Sequence, residues 1–435
     1  MDPAPKVYFL ACAFPPIGRG NSITNACVAN CLADYFSVDV ICMDGAEGFL
    51  LSYQEDQSLA TSLHQDLVVK RVRAAKWGGL NEVLYGVGLL PCYYLNWAWS
   101  VWKKRRQLFA ERGVIFAVYP VFSDLLLGYF LSRRFGYPLL VDFRDDFSGV
   151  MSRGWRRLLR GFYRRLEARI LQQAAGVTVT TAALKSDLVQ RHGLDEGKVG
   201  VVYNVVPEAA APVGKPADKG VLKLIYAGAL SRIQRPEILL QACALLEREQ
   251  KALKERLQVE IYGPDNRYFR RQVRPHLLEG TRFGGFLPRR ELEAQLAGAD
   301  IGFLSLGDAT YAYATPTKLF DYIELGLPIV AALPSGAAQA MIEEHEIGLV
   351  AALGDVDGLA HCIARMIEDA ALRNRCRKNM LQLREQFRPA RQVPKWRDIL
   401  LQLMEEKPFL PVAGHPSSTA LQPTGAIFAT SEKHR

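Results

Sequence analysis

At 435 residues, with 49% in the hydrophobic set and 23% charged, the chain has apolar mass for two or three domains, and disorder is excluded as its main state. Lys and Arg number 54 against 45 Asp and Glu, a formal net charge of +9. An excess of this size suits nucleic acid, anionic lipid or a phosphorylated substrate alike, so its placement along the chain has to decide. The eight cysteines form no C-x-x-C pair and several sit among apolar residues, which reads as reduced, buried thiol in a cytoplasmic protein rather than a disulfide framework or zinc site.

The N-terminal MDPAPKVYFLACAFPP lacks a signal peptide's layout and reads as a first strand over Val7–Ala13. After it, Phe14-Pro15-Pro16-Ile17-Gly18-Arg19-Gly20 leads into a helix over Asn21–Phe36. Glycines at such a turn let a ligand approach the backbone, and the helix start offers N–H groups to an anion. A dinucleotide fingerprint is not completed, because position 23 is Ile, and a simple tight turn is the other reading. Strand Val38–Met43 follows. Val83–Trp102 then runs without a charge up to Lys103-Lys104-Arg105-Arg106. Length and basic flank fit a membrane span, while Gly86, Gly88, Pro91, Asn96 and Ser100 favour a membrane-surface aromatic segment or a core helix.

Strand Val114–Tyr119, helix Asp124–Phe135 and strand Leu139–Phe143 lead to Asp142-Phe143-Arg144-Asp145-Asp146. Three carboxylates and a guanidinium at a strand's carboxyl end are costly unless used. One reading puts Arg144 and Asp145 on the floor of a cleft; the other pairs Arg144 with one Asp and lets another cap the next helix. Arg153–Leu171 holds seven arginines against one glutamate, with Trp155, Leu158, Leu159, Phe162, Tyr163, Leu166 and Ile170 at helical spacing. A basic amphipathic helix of this kind suits anionic lipid, with Trp155, Arg156, Arg157, Arg160 and Arg164 facing the membrane. A domain helix with a solvated arginine face is the alternative.

Strands Val177–Thr181 and Val199–Tyr203 complete the first half, and the Pro-, Ala- and Gly-rich stretch Pro207–Gly220 reads as a linker. Strands Lys223–Ala227, Gln258–Tyr262, Ile301–Leu306 and Pro328–Ala332 follow, alternating with helices such as Pro236–Leu246 and Thr317–Leu325. The loop after the first of these strands carries Arg232 and Arg235, which can fork onto a diphosphate; an exposed basic loop is the bland alternative. In Thr315-Pro316-Thr317-Lys318, Thr315 suits an N-cap and Pro316 the first helical position. The free N–H groups there and Lys318 make a phosphate site, and Asp321, a turn further on, can accept two ribose hydroxyls; a capped helix packed on the sheet with Lys318 solvated is the other reading. A helical run over Gln392–Glu406 precedes Pro408–Arg435, expected to be a disordered tail.

Strand–helix alternation makes the fold class α/β, two tandem Rossmann-like parallel sheets whose carboxyl ends face one cleft. The expected divisions are 1–206, a linker over 207–220, 221–387, a helix over 388–407 and a tail over 408–435.

In order, FPP-x-G-x-G, DFRD, VVYN, YAG-x-L with its basic loop, and TPTKLFDYIELGLPIV resemble a GT-B glycosyltransferase of the family 4 type, over roughly residues 5–385. The resemblance implies a nucleotide-sugar donor, UDP- or GDP-linked, held mainly by the second domain, and a glycan or lipid-linked acceptor on the first. It also implies transfer with retention of configuration, no cofactor, no metal, and a last helix crossing back to the first domain. Two glutamates usual in that family fall on Tyr313 and Asp321, a usual His-Asp pair on Arg144-Asp145, and a usual basic pair on Ala229 and Gln234, with Arg232 and Arg235 nearby. On this footing Arg232, Arg235, Thr317 and Lys318 hold the diphosphate, with Tyr313 in the donor site and Asp321 on the ribose. Gly18, Arg19 and Gly20 close the acceptor side, and Asp145 or Arg144 orients the reactants. The basic segments add an anionic membrane as partner, placing the protein peripherally on the inner face of the cytoplasmic membrane in cell-surface polysaccharide or lipopolysaccharide assembly. Nucleic acid is not expected, since aromatic and basic residues do not interleave as in a known module. The alternatives are a non-catalytic binding protein or a sugar-nucleotide epimerase of the same fold.

Overall fold

The computed structural model describes residues 4–45, 54–77, 83–85, 87, 90–151, 154–209 and 220–405. Most of the expected linker, the expected tail and Arg153 lie outside these residues, as do the side chains of Trp155 and Arg156.

Two wholly parallel sheets organise the described residues. The first contains β1 (Lys6–Leu10), β2 (Ser37–Met43), β3 (Val68–Val72), β4 (Val114–Tyr119), β5 (Leu139–Phe143), β6 (Gly176–Val179) and β7 (Val199–Val201), in the spatial order 3-2-1-4-5-6-7. The second contains β8 (Leu222–Ala227), β9 (Leu257–Tyr262), β10 (Arg282–Gly285), β11 (Ile301–Ser305), β12 (Ile329–Leu333) and β13 (Gly348–Ala352), in the order 10-9-8-11-12-13. Helices cover these sheets, so central strands are apolar on both faces. In β4 every residue is buried, and Phe116 sits in register with Phe9 on one side and Leu140 on the other.

Of the connecting helices, those that bear on the site are α1 (Gly20–Ala33), α2 (Leu95–Lys103), α3 (Phe122–Phe135), α4 (Phe147–Met151), α5 (Arg160–Gln173), α6 (Ala182–His192), α7 (Glu237–Glu249), α8 (Arg289–Ala297), α9 (Thr317–Leu325) and α10 (Pro389–Glu405). The last of them packs against α1, β4 and β6 of the first sheet. Its Trp396 is buried there, lying 6.2 Å from the Phe116 ring and donating Nε1–H to Thr178 Oγ1 at 3.0 Å.

Strand order reverses between β1 and β4 in the first sheet and between β8 and β11 in the second. Ligands in open parallel sheets bind outside the carboxyl ends at such reversals. The loops following β1, β8 and β11 are the three glycine-, arginine- and lysine-bearing segments already singled out.

Two segments singled out for the membrane contribute to the core of the first domain. Within the charge-free run, α2 buries Trp97, Ala98 and Val101 in the first domain, and no helix among the described residues is long and apolar enough to cross a membrane. The basic amphipathic pattern breaks into a 3-10 turn over Gly154–Leu159 and then α5, whose Tyr163, Ile170 and Leu171 are buried in the core. Those three residues serve the domain itself, while Leu158 and Phe162 of the same stripe are exposed. Arg160 and Arg164 line a hollow beside the cleft, and Arg160 is exposed, as are Arg157, Phe162, Arg165 and Arg169. Helical periodicity identifies a buried stripe but does not say whether protein or lipid buries it.

Candidate functional site

The second domain supplies a shielded ammonium without an ion pair among the described residues. Helix α9 begins at Thr317, with the extended Pro316 as its N-cap and no side chain capping the exposed N–H groups. Thr315, expected in that role, is one residue too early: Pro316 holds ψ at 145°, so helical geometry starts after it. Lys318, in the first turn, is partly buried with its ammonium shielded from solvent; its Nζ lies 4.1 Å from the centre of the Tyr226 ring and has no hydrogen-bond partner among the described residues. Burial pushes its ammonium down to about 7, against the opposing pull of Asp321. Gly228, at the end of β8, has φ +142°, and a side chain there would come within 3.0 Å of Lys318 Nζ. A shielded, unpartnered ammonium beside uncapped helix N–H groups is an anion site by construction.

Arg235 holds φ +44°, a left-handed conformation uncommon outside glycine. Its stem fills the space that Gly307 leaves open, and its Nε lies 3.3 Å from Glu237 Oε1. Arg232 is exposed in the same loop. Asp321, expected to stand free for a ribose, instead forms an ion pair with Arg289 Nη2 at 2.7 Å. Arg289 also reaches Glu293 at 2.6 Å, while its backbone N–H donates to Asp56 Oδ2 of the first domain at 2.6 Å. A ribose hydroxyl would therefore have to share this carboxylate with Arg289.

From the first domain, Gly18 and Gly20 bring backbone directly against the second. The Gly18 N–H donates to Gln54 O at 2.9 Å, and a Cβ at Gly18 would meet Phe286 at 2.6 Å. Gly20 opens α1, and a Cβ there would lie 3.4 Å from Thr317 Oγ1. The N-termini of α1 and α9 thus lie close together across the cleft, and their positive ends favour one anion between them.

The acidic cluster at the end of β5 divides into separate tasks. Arg144 is buried, donates Nε–H to Asp142 Oδ2 at 2.6 Å and Nη1–H to Asn25 Oδ1 at 2.9 Å. Asp142 in turn accepts from Thr178 Oγ1 at 2.7 Å. The ion-pair reading of Arg144 is therefore the one found: its guanidinium is tied down by the cluster's own carboxylate. Asp145 is different. The Tyr313 hydroxyl donates to its Oδ1 at 3.3 Å and accepts the Asp146 N–H at 2.9 Å. Burial pushes the Asp145 carboxyl up to about 6, with Tyr313, Arg19 and Arg144 pulling the other way. Burial and the Asp145 charge push the Tyr313 phenol far above its usual range, which keeps it a hydrogen donor. Thr181 Oγ1 adds a bond to Tyr313 O at 2.8 Å, so this loop is fastened to the first domain at three points.

Arg191, Arg289 and Asp124 escaped the sequence reading. Arg191 takes Asp146 bidentately, at 2.6 and 3.1 Å. Asp124 is fully buried in the first turn of α3, accepting the Cys12 N–H at 2.9 Å between the ends of β1 and β4; burial drives its carboxyl well above the usual range. Its helix start was visible in the sequence, but its burial was not.

Comparison with known proteins agrees with this geometry. A family model described as glycosyl transferases group 1 matches residues 210–382, and one described as glycosyl transferase 4-like domain matches residues 24–205. No curated protein matches the sequence. Among solved structures, Anabaena HepE in complex with UDP-glucose is 16% identical with a TM-score of 0.63, covering 92% of this chain and 98% of its own. WaaG, a glycosyltransferase involved in lipopolysaccharide biosynthesis, is 14% identical with a TM-score of 0.61, covering 91% of this chain and 99% of its own. A TarM variant of S. aureus, solved with Fondaparinux, alpha-GlcNAc-glycerol and UDP, is 10% identical with a TM-score of 0.57, covering 91% and 99%. With the two family models falling one on each sheet and the two-sheet fold shared with these structures, the chain belongs to the glycosyltransferases of GT-B fold.

Proposed function

We propose that the protein transfers a sugar from a nucleotide-sugar donor to a glycan or lipid-linked acceptor, with retention of anomeric configuration. The observation that carries the donor half is Lys318, a shielded ammonium without an ion pair among the described residues, at an uncapped helix start. The UDP-glucose and UDP held by relatives of the same fold support it. In this reading the bond between anomeric carbon and diphosphate oxygen breaks while the acceptor oxygen attacks from the same face. The acceptor's proton passes to the departing diphosphate, whose growing charge meets Lys318, Arg235 and the N-termini of α1 and α9. Asp145, held by Tyr313, orients the acceptor, and Arg144 acts by positioning Asn25 and α1 from beneath. No residue pair is assigned as a covalent nucleophile. Incubation with UDP-, GDP- and ADP-sugars should release free nucleoside diphosphate from one of them. Tight binding of a donor without any release, with or without added acceptors, would instead make this a binding protein.

We also propose that the acceptor is met at an anionic membrane, the protein lying peripherally on its inner, cytoplasmic face as a component of cell-surface polysaccharide or lipopolysaccharide assembly. Helices α2, α3 and α5 are neighbours, with α3 between the other two. Together with the turn before α5 they carry the exposed Trp99, Phe130, Leu158 and Phe162. Cations accompany them: Lys103 lies 5.5 Å from the Trp99 ring, Arg105 4.4 Å from Trp102, and Arg165 and Arg169 are exposed one and two turns along α5 from Phe162. Exposed aromatics ringed by basic side chains fit the headgroup boundary of anionic lipid. In co-sedimentation with phosphatidylglycerol vesicles at low salt, the W99S/F130S/F162S variant should bind about tenfold more weakly. Failure of the unaltered protein to bind would remove the membrane from this account.

A further inference from the structure

Beside the cleft lies a hollow of about 570 Å³ that the reading above leaves unused. The first domain lines it with Arg160 and Arg164 from α5, Arg191 and Gln190 from α6, and Asp146; Thr310 comes from the second domain. It therefore opens at the domain junction, next to the Tyr313 hydroxyl that holds Asp145 and Asp146.

The charges within it fall into two sets. Arg191 is neutralised and fixed: Asp146 takes it bidentately, Asp187 pairs with it from one turn away, and Ser148 Oγ accepts from it at 2.7 Å. Arg160 and Arg164 are not neutralised. They stand four residues apart on one face of α5, and neither has an ion pair among the described residues. Their face of α5 is not the one bearing Phe162, Arg165 and Arg169, so the membrane account leaves them unexplained. Two guanidiniums one turn apart, in a hollow of sugar-phosphate size, match a group with two negative charges and several acceptor oxygens.

We infer that this hollow is a subsite for a phosphoryl group of the acceptor, bound by Arg160 and Arg164 against the fixed wall of Arg191 and Asp146. The inference rests on the glycosyl-transfer reading and sharpens it. The acceptor is a phosphate monoester or diphosphate whose anionic end docks in the hollow while its reacting hydroxyl reaches the cleft past Asp145. A polyprenyl diphosphate and a soluble sugar phosphate share this chemistry.

Titration calorimetry on the full chain, first saturated with whichever of UDP, GDP or ADP binds, tests it. The probes are glucose 1-phosphate, farnesyl diphosphate and glucuronate, the last a sugar of similar size with a single charge. Both phosphoryl probes should bind, and R160Q/R164Q should weaken both by about tenfold or more, as expected for loss of charged hydrogen bonds. R160K/R164K, which keeps the charges, should recover most of the affinity, and thermal melts of the three proteins check that each is folded. Tighter binding of farnesyl diphosphate assigns the group to a lipid carrier, and tighter binding of glucose 1-phosphate assigns it to a soluble acceptor. The inference is overturned if neither phosphoryl probe binds, if R160Q/R164Q leaves both affinities unchanged, or if glucuronate binds as tightly as glucose 1-phosphate. Failure of all three nucleoside diphosphates to bind would count against the donor reading instead. The probes would then be titrated into free K318M protein, which lacks the donor-site lysine.

Discussion

Replacing Lys318 by methionine should lower kcat/KM by about 10²–10³-fold, the usual loss when one stabiliser of developing charge is removed. The fold should be retained and should gain stability. In the free protein the lysine's ammonium is shielded from solvent against a ring face, has no hydrogen-bond partner among the described residues, and is held near 7. An unfolded lysine titrates near about 10.4. Between these values the unfolded chain binds the extra proton, so stability should rise with pH across that window. The penalty is fully present below the lower value and is gone above the upper one. Lys318→Met should remove that slope, which urea denaturation at several pH values will read. Binding should also report the lysine directly. At about pH 8.5 Lys318 is mostly neutral in the free protein, and a diphosphate placed against it restores the charge. Nucleoside diphosphate binding should then take up as much as about one proton, measurable by calorimetry in two buffers and absent in the methionine variant. Full turnover in K318M would move the leaving-group site elsewhere.

Arg144→Ala should cost about 3–5 kcal/mol of folding stability, because it leaves Asp142 ionised, fully buried and without its cation. The loss should appear as a lower urea midpoint at unchanged slope. Replacing both partners, as D142L/R144M, should recover most of it, since a buried ion pair exchanged for apolar side chains of similar volume is close to neutral. The pair also explains what Arg144 does for chemistry. It fixes Asn25, whose Nδ2–H donates to Ala13 O at 2.9 Å, and so sets the start of α1 and the glycine loop before it. An R144A protein of unaltered stability but abolished turnover would return Arg144 to the reacting groups.

Interior elements were legible because burial on two faces leaves one kind of sequence. Val114–Tyr119, Leu139–Phe143 and Thr317–Leu325 have the bounds that their apolar runs and flanking residues predict. The strands missed were β3, β10 and β13, all at sheet edges. VVKRV and RFGG mix in charge or glycine and offer no clean apolar run, while GLVAA offers one too short to distinguish strand from helix. The site divides in the same way. Lys318 was legible from its own neighbours, since Pro-Thr-Lys at a helix start carries its meaning locally. Arg191 and Arg289 were not, because their roles come from Asp146, 45 residues away, and from a carboxylate one helix further on. The same gap left Arg144 between two readings: DFRD announces expensive charges without saying which of them satisfy one another. On α5 the apolar period was legible, but not that Tyr163, Ile170 and Leu171 turn into the domain core while Phe162 stays exposed, because three-dimensional packing alone makes that division.

The bond from Trp396 to Thr178 has a consequence in time as well as in space. Thr178 is held by Trp396 on one side and holds Asp142 on the other, and Asp142 holds Arg144, Asn25 and the start of α1. The footing of the first domain's carboxyl-end face is therefore supplied by α10, a helix made only after the whole second sheet. Domains emerging during synthesis fold in order from the N-terminus. A nascent chain that has exposed the whole first sheet still lacks the indole that braces it. Completion of the first domain thus waits on translation of the second, and the two sheets come into working order together.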